Sequence, residues 1–158
     1  MSSDNELYPG RISDDPAAIR DGYIELILRT MRLKHIGLRA LAHKTGIGKS
    51  RLGLLLHSDP ARRCEIGLTE TKIIFDALEI DTFAAVICVE GFRDISVLDQ
   101  PPYPSVVALL RVIYRWLPIE LVQAMAEYSH IDDGDVRPEW AVGLQRAFVK
   151  RVVKEVSR

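Results

Sequence analysis

Leu38-Arg-Ala-Leu-Ala-His-Lys-Thr-Gly-Ile-Gly-Lys-Ser-Arg-Leu-Gly-Leu-Leu-Leu-His57 reads as two short helices around a glycine. Leu38, Leu41 and Ala42 fall at helical spacing, which predicts a helix from Leu38 to Lys44 with these three side chains turned inward. Thr45-Gly46 ends it, because a glycine just past a helix accepts the left-handed backbone that a sharp turn demands. Ile47 follows, Gly48 is a tolerable N-cap, and a second helix runs through His57 with Leu52 and Leu55 on one face. A helix pair of this kind can be a plain packing unit, so its surroundings must say whether it does more.

Upstream, Tyr23, Ile24, Ile27, Leu28 and Met31 mark an amphipathic helix over residues 21–33, with His35 and Gly37 ending it. Residues 1–20 are acidic and polar, lack the apolar segment of a signal peptide, and read as a flexible tail. Downstream, Ser58 to Gly67 reads as an ordered or semi-ordered loop around Asp59-Pro60. Leu68, Ile73, Ile74, Ala77 and Leu78 predict a fourth helix, started near Thr69. Asp81 or Thr82 caps a fifth, built on Phe83, Val86 and Ile87 and ended by Gly91. Three prolines within 99–104 (Asp-Gln-Pro-Pro-Tyr-Pro) remove donors and restrict their neighbours, which predicts a linker between a domain at 21–98 and a unit at 105–158. In that unit Ser105 caps a helix from Val106 to Trp116, and Pro118 opens another to about Tyr128. A loop covers Ser129 to Pro138, and a last helix runs from Glu139 to about Glu155 with Trp140, Leu144, Phe148 and Val152 at four-residue steps. No credible strand or internal repeat is visible, so the expected fold class is all-α.

The composition narrows the function classes. The chain has 158 residues, is 47% hydrophobic and 27% charged, too apolar for a disordered chain and too charged for a membrane bundle. Its apolar runs fall short of the roughly 20 residues that span a bilayer. Cys64 and Cys88 form neither a disulfide framework nor a zinc motif, which favours a reducing cytoplasm. The formal charge of −1 hides a strong segregation: residues 20–65 hold ten basic against four acidic groups, a block of +6 between acidic flanks. Such a block attracts phosphate, although a solvated basic surface would carry the same charge.

On these residues the stretch resembles the helix-turn-helix of the Cro and CI repressors, the Xre type. Ala42 stands where the helices cross closely, Gly46 makes the turn, Ile47 plugs the gap, and Leu52 and Leu55 anchor the second helix. The resemblance extends to about Gly91 and implies a five-helix Cro/CI-like domain followed by a small three-helix C-terminal unit. It also implies that the helix after the glycine enters the major groove of double-stranded DNA with its N-terminal side chains at the base edges. By position Lys49, Ser50, Arg51, Leu54 and His57 would then read bases, a cation suiting guanine and Leu54 a thymine methyl. Arg39, Lys44, Arg62 and Arg63 would hold phosphates, which sets register without reading sequence. The loop from Ser58 to Gly67 is longer and more basic than is usual in the family.

A single helix-turn-helix covers one half-site, so the expectation is a homodimer on a near-palindromic operator, with residues 105–158 as the dimerisation unit. Docking onto RNA polymerase or a co-regulator is the alternative for that unit. For the whole chain the alternative is an antitoxin-like or adaptor interaction module with an auxiliary helix-turn-helix. No catalytic motif, metal-ligand spacing or cofactor fingerprint is present, and Asp132-Asp-Gly-Asp135 lacks the distal glutamate of a calcium loop. The reading is a non-enzymatic transcriptional regulator without cofactor, metal or membrane anchor, as activator or repressor.

Overall fold

The computed structural model describes residues 15–92, 94–128 and 137–158. Among them the chain is helical and carries no strand. The expected tail as far as Asp14, and the expected loop from Ser129 over residues 129–136, lie outside the described residues. Seven α-helices follow in order: α1 (Pro16–Leu33), α2 (Leu38–Thr45), α3 (Lys49–Leu55), α4 (Leu68–Leu78), α5 (Thr82–Val86), α6 (Tyr103–Glu127) and α7 (Trp140–Val156). The chain divides into two compact units, and the division falls within α6 at Leu117–Pro118.

In the larger unit, α1 begins five residues before the expected Asp21. The side chain of Asp15 accepts the Ala17 N–H, and Pro16 sits at the first helical position, where its missing donor costs nothing. Residues 15–20 therefore belong to the fold rather than to a tail. Ile24 and Ile27 from α1 meet Leu41 of α2, Leu52 and Leu55 of α3, and Ile74 and Leu78 of α4 in one core, all fully buried. Each such side chain contributes about 1.5–3 kcal/mol relative to an exposed position. At the end of α1 the Ile36 N–H bonds to Met31 O, and His35 takes the left-handed conformation at φ 53°, a place that usually falls to glycine. α3 stops at Leu55, two residues short of His57.

After α5 the backbone widens into a π-helical stretch, Ile87–Phe92, which extends the fifth helix past the expected stop at Gly91. It packs on α1 so closely that a methyl group at Gly22 would lie 2.8 Å from Val89 Cγ1. A second small cluster joins Ile87, Cys88 and Val107, with Phe92 edge-on to Tyr103 at 5.2 Å.

The proline-rich segment is shorter as a break than its composition suggests. A 3-10 turn covers Ile95–Asp99, and α6 then starts at Tyr103, because Pro104 in the first turn has no intrahelical bond to lose. Pro118 does not open a new helix. It lies inside α6, which continues to Glu127, so α6 and α7 stand where three C-terminal helices were expected. A proline suits a first turn and is also tolerated as a kink, and spacing alone does not separate the two. In the smaller unit α7 buries no residue, and Leu144, Val149 and Val153 are exposed on it, as are Ile119, Leu121 and Val122 on the end of α6. No helix among the described residues is long and apolar enough to cross a membrane.

Candidate nucleic-acid interface

The turn between α2 and α3 is built as its sequence requires. Gly46 has φ 71°, and its N–H closes on Ala42 O at 2.9 Å. Thr45 adds a second tie: its hydroxyl donates to Leu41 O at 2.8 Å and accepts the Ile47 N–H at 3.2 Å. Ala42 and Ile47 pack against the core, while Leu52 and Leu55 are sealed within it. The inner face of α3 is thereby fixed. Its outer face presents Lys49 and Ser50 in the first turn and Leu54, 50% exposed, one turn on.

Arg51 lies on the same helix but is already committed. Its Nε and one terminal nitrogen donate to the two oxygens of Glu70 at 2.8 and 2.9 Å, a paired fork in which both bonds are charge-assisted. The same terminal nitrogen reaches Glu65 O at 2.9 Å, and the other lies 3.1 Å from Cys64 Sγ. Glu70 also accepts the Gly67 N–H at 3.1 Å, so one carboxylate caps α4 and holds α3. The bond from Arg51, and next the Gly67 amide, keep the Glu70 carboxyl below its ordinary range. Arg51, expected among the base-reading residues, thus has the fork of its guanidinium on Glu70 of the protein itself.

Arg63, expected at a phosphate, is also held by the protein's own groups. Its side chain is only 8% exposed, bonded to Asp21 Oδ1 at 3.0 Å and to His57 O at 2.8 Å, so it ties the loop to α1. The loop as a whole is anchored. Asp59 caps the 3-10 turn Pro60–Arg62, the Asp59 N–H donates to His57 Nδ1 at 3.0 Å, and the Cys64 N–H reaches Leu54 O at 3.3 Å. The same Nδ1 lies 3.3 Å from Asp59 O, so the half-buried ring is held against the loop backbone.

The side chains of Arg39, Lys49 and Arg62 are exposed and make no ion pair or hydrogen bond among the described residues. Lys44 is exposed as well, and bears electrostatically on Glu79. No group of histidine, cysteine and acidic side chains among the described residues is placed to hold a metal ion.

No family model, curated protein or solved structure matches this chain.

Sequence reasoning missed Glu70 and Asp21, the two carboxylates that claim Arg51 and Arg63. Glu70 did carry a signal, since it stands three residues after Gly67 at a helix start, where a glutamate commonly reaches back to the capping backbone. Nothing local links Asp21 with Arg63, 42 positions apart.

Proposed function

We propose that the chain is a sequence-specific, DNA-binding transcriptional regulator of the Cro/CI type, with α3 as the helix that enters the major groove. The observation that carries this reading is the division of α3 into a sealed face, Leu52 and Leu55, and a polar outer edge at its N-terminal end, Lys49 and Ser50, beside exposed Leu54. A recognition helix needs that division, because its core anchors fix the angle at which the first turn meets the bases. Lys49, Ser50, Leu54 and His57 then form the reading set. Unpaired Arg39 and Arg62, with Lys44, form the phosphate set. Arg51 and Arg63 set the position of α3 and of the loop.

The exposed apolar side chains of α7 and of the end of α6 support a homodimer on a near-palindromic site. A helix with one apolar face and no buried residue is marginal on its own in water. The same faces would serve an adaptor that docks on RNA polymerase or a co-regulator, and the mass of the DNA-free protein in solution separates the two. Binding to a pool of random duplexes, followed by salt titration on the selected site, tests the main reading. Lys49→Ala should relax base preference at one position of each half-site, and Arg62→Ala should lower the salt slope by about one per lost phosphate contact. An unchanged slope and an unchanged preference would refute the assigned interface.

A further inference from the structure

Away from α3, the larger unit has an apolar groove of about 560 Å³ between α1, α4, α5 and the segment entering α4. Ile19 and Tyr23 form one wall, Ile66 and Leu68 another, and Phe75 and Val86 complete the lining. Leu68 is 87% exposed at its rim. The volume falls within the range of about 300–1,000 Å³ of small-molecule sites, which are mostly apolar with a few convergent polar groups. Here the polar lining is the hydroxyls of Tyr23, Thr71 and Thr82 and two cations, Arg20 and Lys72, with no carboxylate among the lining residues.

Arg20 is the poorly satisfied one of the two. Lys72 bonds Asp76 at 2.6 Å, whereas Arg20, its side chain one-third exposed, has only a long 3.5 Å bond from a terminal nitrogen to Asp21 Oδ1, and its Nε makes no hydrogen bond among the described residues. Among the described residues the carboxylate paired with Arg20 is that of Asp21, whose Oδ1 at 3.5 Å already takes the closer bond from Arg63 at 3.0 Å. A guanidinium so weakly paired and partly exposed still has terminal N–H groups free to make a charge-assisted bond to a ligand carboxylate.

The geometry points to a binding site for an amphipathic monoanion, an aliphatic carboxylate whose chain lies along Ile19, Ile66, Phe75 and Val86 and whose head is held by Arg20. The first turn of α4 forms part of the wall, and its Glu70 holds Arg51 of α3. Occupancy therefore bears on the placement of α3, a consequence that rests on the DNA reading above, whereas the binding itself is tested without DNA.

The test is a titration of the full chain, free of DNA, with decanoate, with decan-1-ol and with acetate, followed by methyl-resolved NMR. Decanoate should shift the methyl signals of Ile19, Ile66, Leu68 and Val86 in a saturable way, about tenfold or more tighter than decanol, the least that one charge-assisted bond supplies. Acetate should leave them unmoved. Arg20→Gln should bring decanoate down to the level of decanol, and Val86→Trp, at a partly exposed position, should abolish both while the remaining methyl spectrum shows an intact fold. Equal binding of decanoate and decanol, or an unchanged decanoate affinity in Arg20→Gln, overturns the proposal. So do ligand-free shifts of the same methyls with protein concentration, which would assign the groove to a second copy of the chain.

Discussion

Two glycines inside helices are predicted to answer oppositely to alanine. In α1 a Cβ at Gly22 would stand 2.8 Å from Val89 Cγ1, about 0.6 Å inside the 3.4 Å at which ordinary contact begins. Val89 is 5% exposed and β-branched, so it has neither free space nor an easy rotamer to escape into. Overpacking of this kind costs about 1–3 kcal/mol. The gain in helix propensity from glycine to alanine returns about 0.8–1.0 kcal/mol. The balance is a loss of about 1 kcal/mol, which lowers Tm by roughly 4–8 °C if the larger unit unfolds as one domain of its size. Gly53 of α3 faces open space, so Gly53→Ala keeps the propensity gain and should raise Tm. Thermal and urea unfolding followed by helical circular dichroism measures both. The cause is isolated by repeating Gly22→Ala in a Val89→Ala background, where the offending Cγ1 is gone and the penalty should vanish. Stabilisation by Gly22→Ala equal to that of Gly53→Ala, or a penalty that survives Val89→Ala undiminished, would refute the close approach of α1 to the π-helical stretch.

His35 holds a left-handed backbone at φ 53°, a conformation that costs an ordinary residue roughly 1–2 kcal/mol, so His35→Gly should shift the urea midpoint upward. Glu70→Ala should weaken DNA binding although Glu70 serves the protein's own arginine, and its effect should not add to that of Arg51→Ala; full additivity in the double-mutant cycle would dissolve the clamp. Glu70, Glu79 and Asp94 all have carboxyls held below their ordinary range, chiefly by bonds from Arg51, Lys34 and Ser96 respectively. A depressed folded-state pKa stabilises the fold above the unfolded-state value and ceases to do so as pH falls through the folded one. The urea midpoint should therefore hold near neutral pH and drop below about pH 4, with Glu70→Gln flattening that drop; an unaltered profile would contradict it.

The helical pair was legible because its signals are local. Leu41, Leu52 and Leu55 sit at helical spacing, Gly46 follows the last inward residue of α2, and all four do in the structure what spacing and turn chemistry ask of them. The start of α1 was equally local, in Asp15-Pro16, and was obscured by reading the acidic run as one tail. Pro118 was ambiguous in principle, since a proline is compatible with a first turn and with a kink. The candidate site was half legible. Sequence sorts cations by position along a helix, so Lys49 and Arg51 looked alike, yet the fold places a carboxylate 19 residues downstream against one of them. Arg62 and Arg63 are neighbours of identical chemistry, and only the path of the loop past Asp21 makes one exposed and the other buried.

The shared carboxylate of Glu70 also limits how α3 can be redesigned. A library that varies Lys49, Ser50 and Leu54 changes side chains that touch no other described group by ion pair or hydrogen bond, so each position can be sampled separately. Randomising position 51 in the same library would loosen the helix from α4 and release the cap of Gly67 from its partner. The survivors would then be enriched for stability, and that enrichment would pass for a preference in sequence.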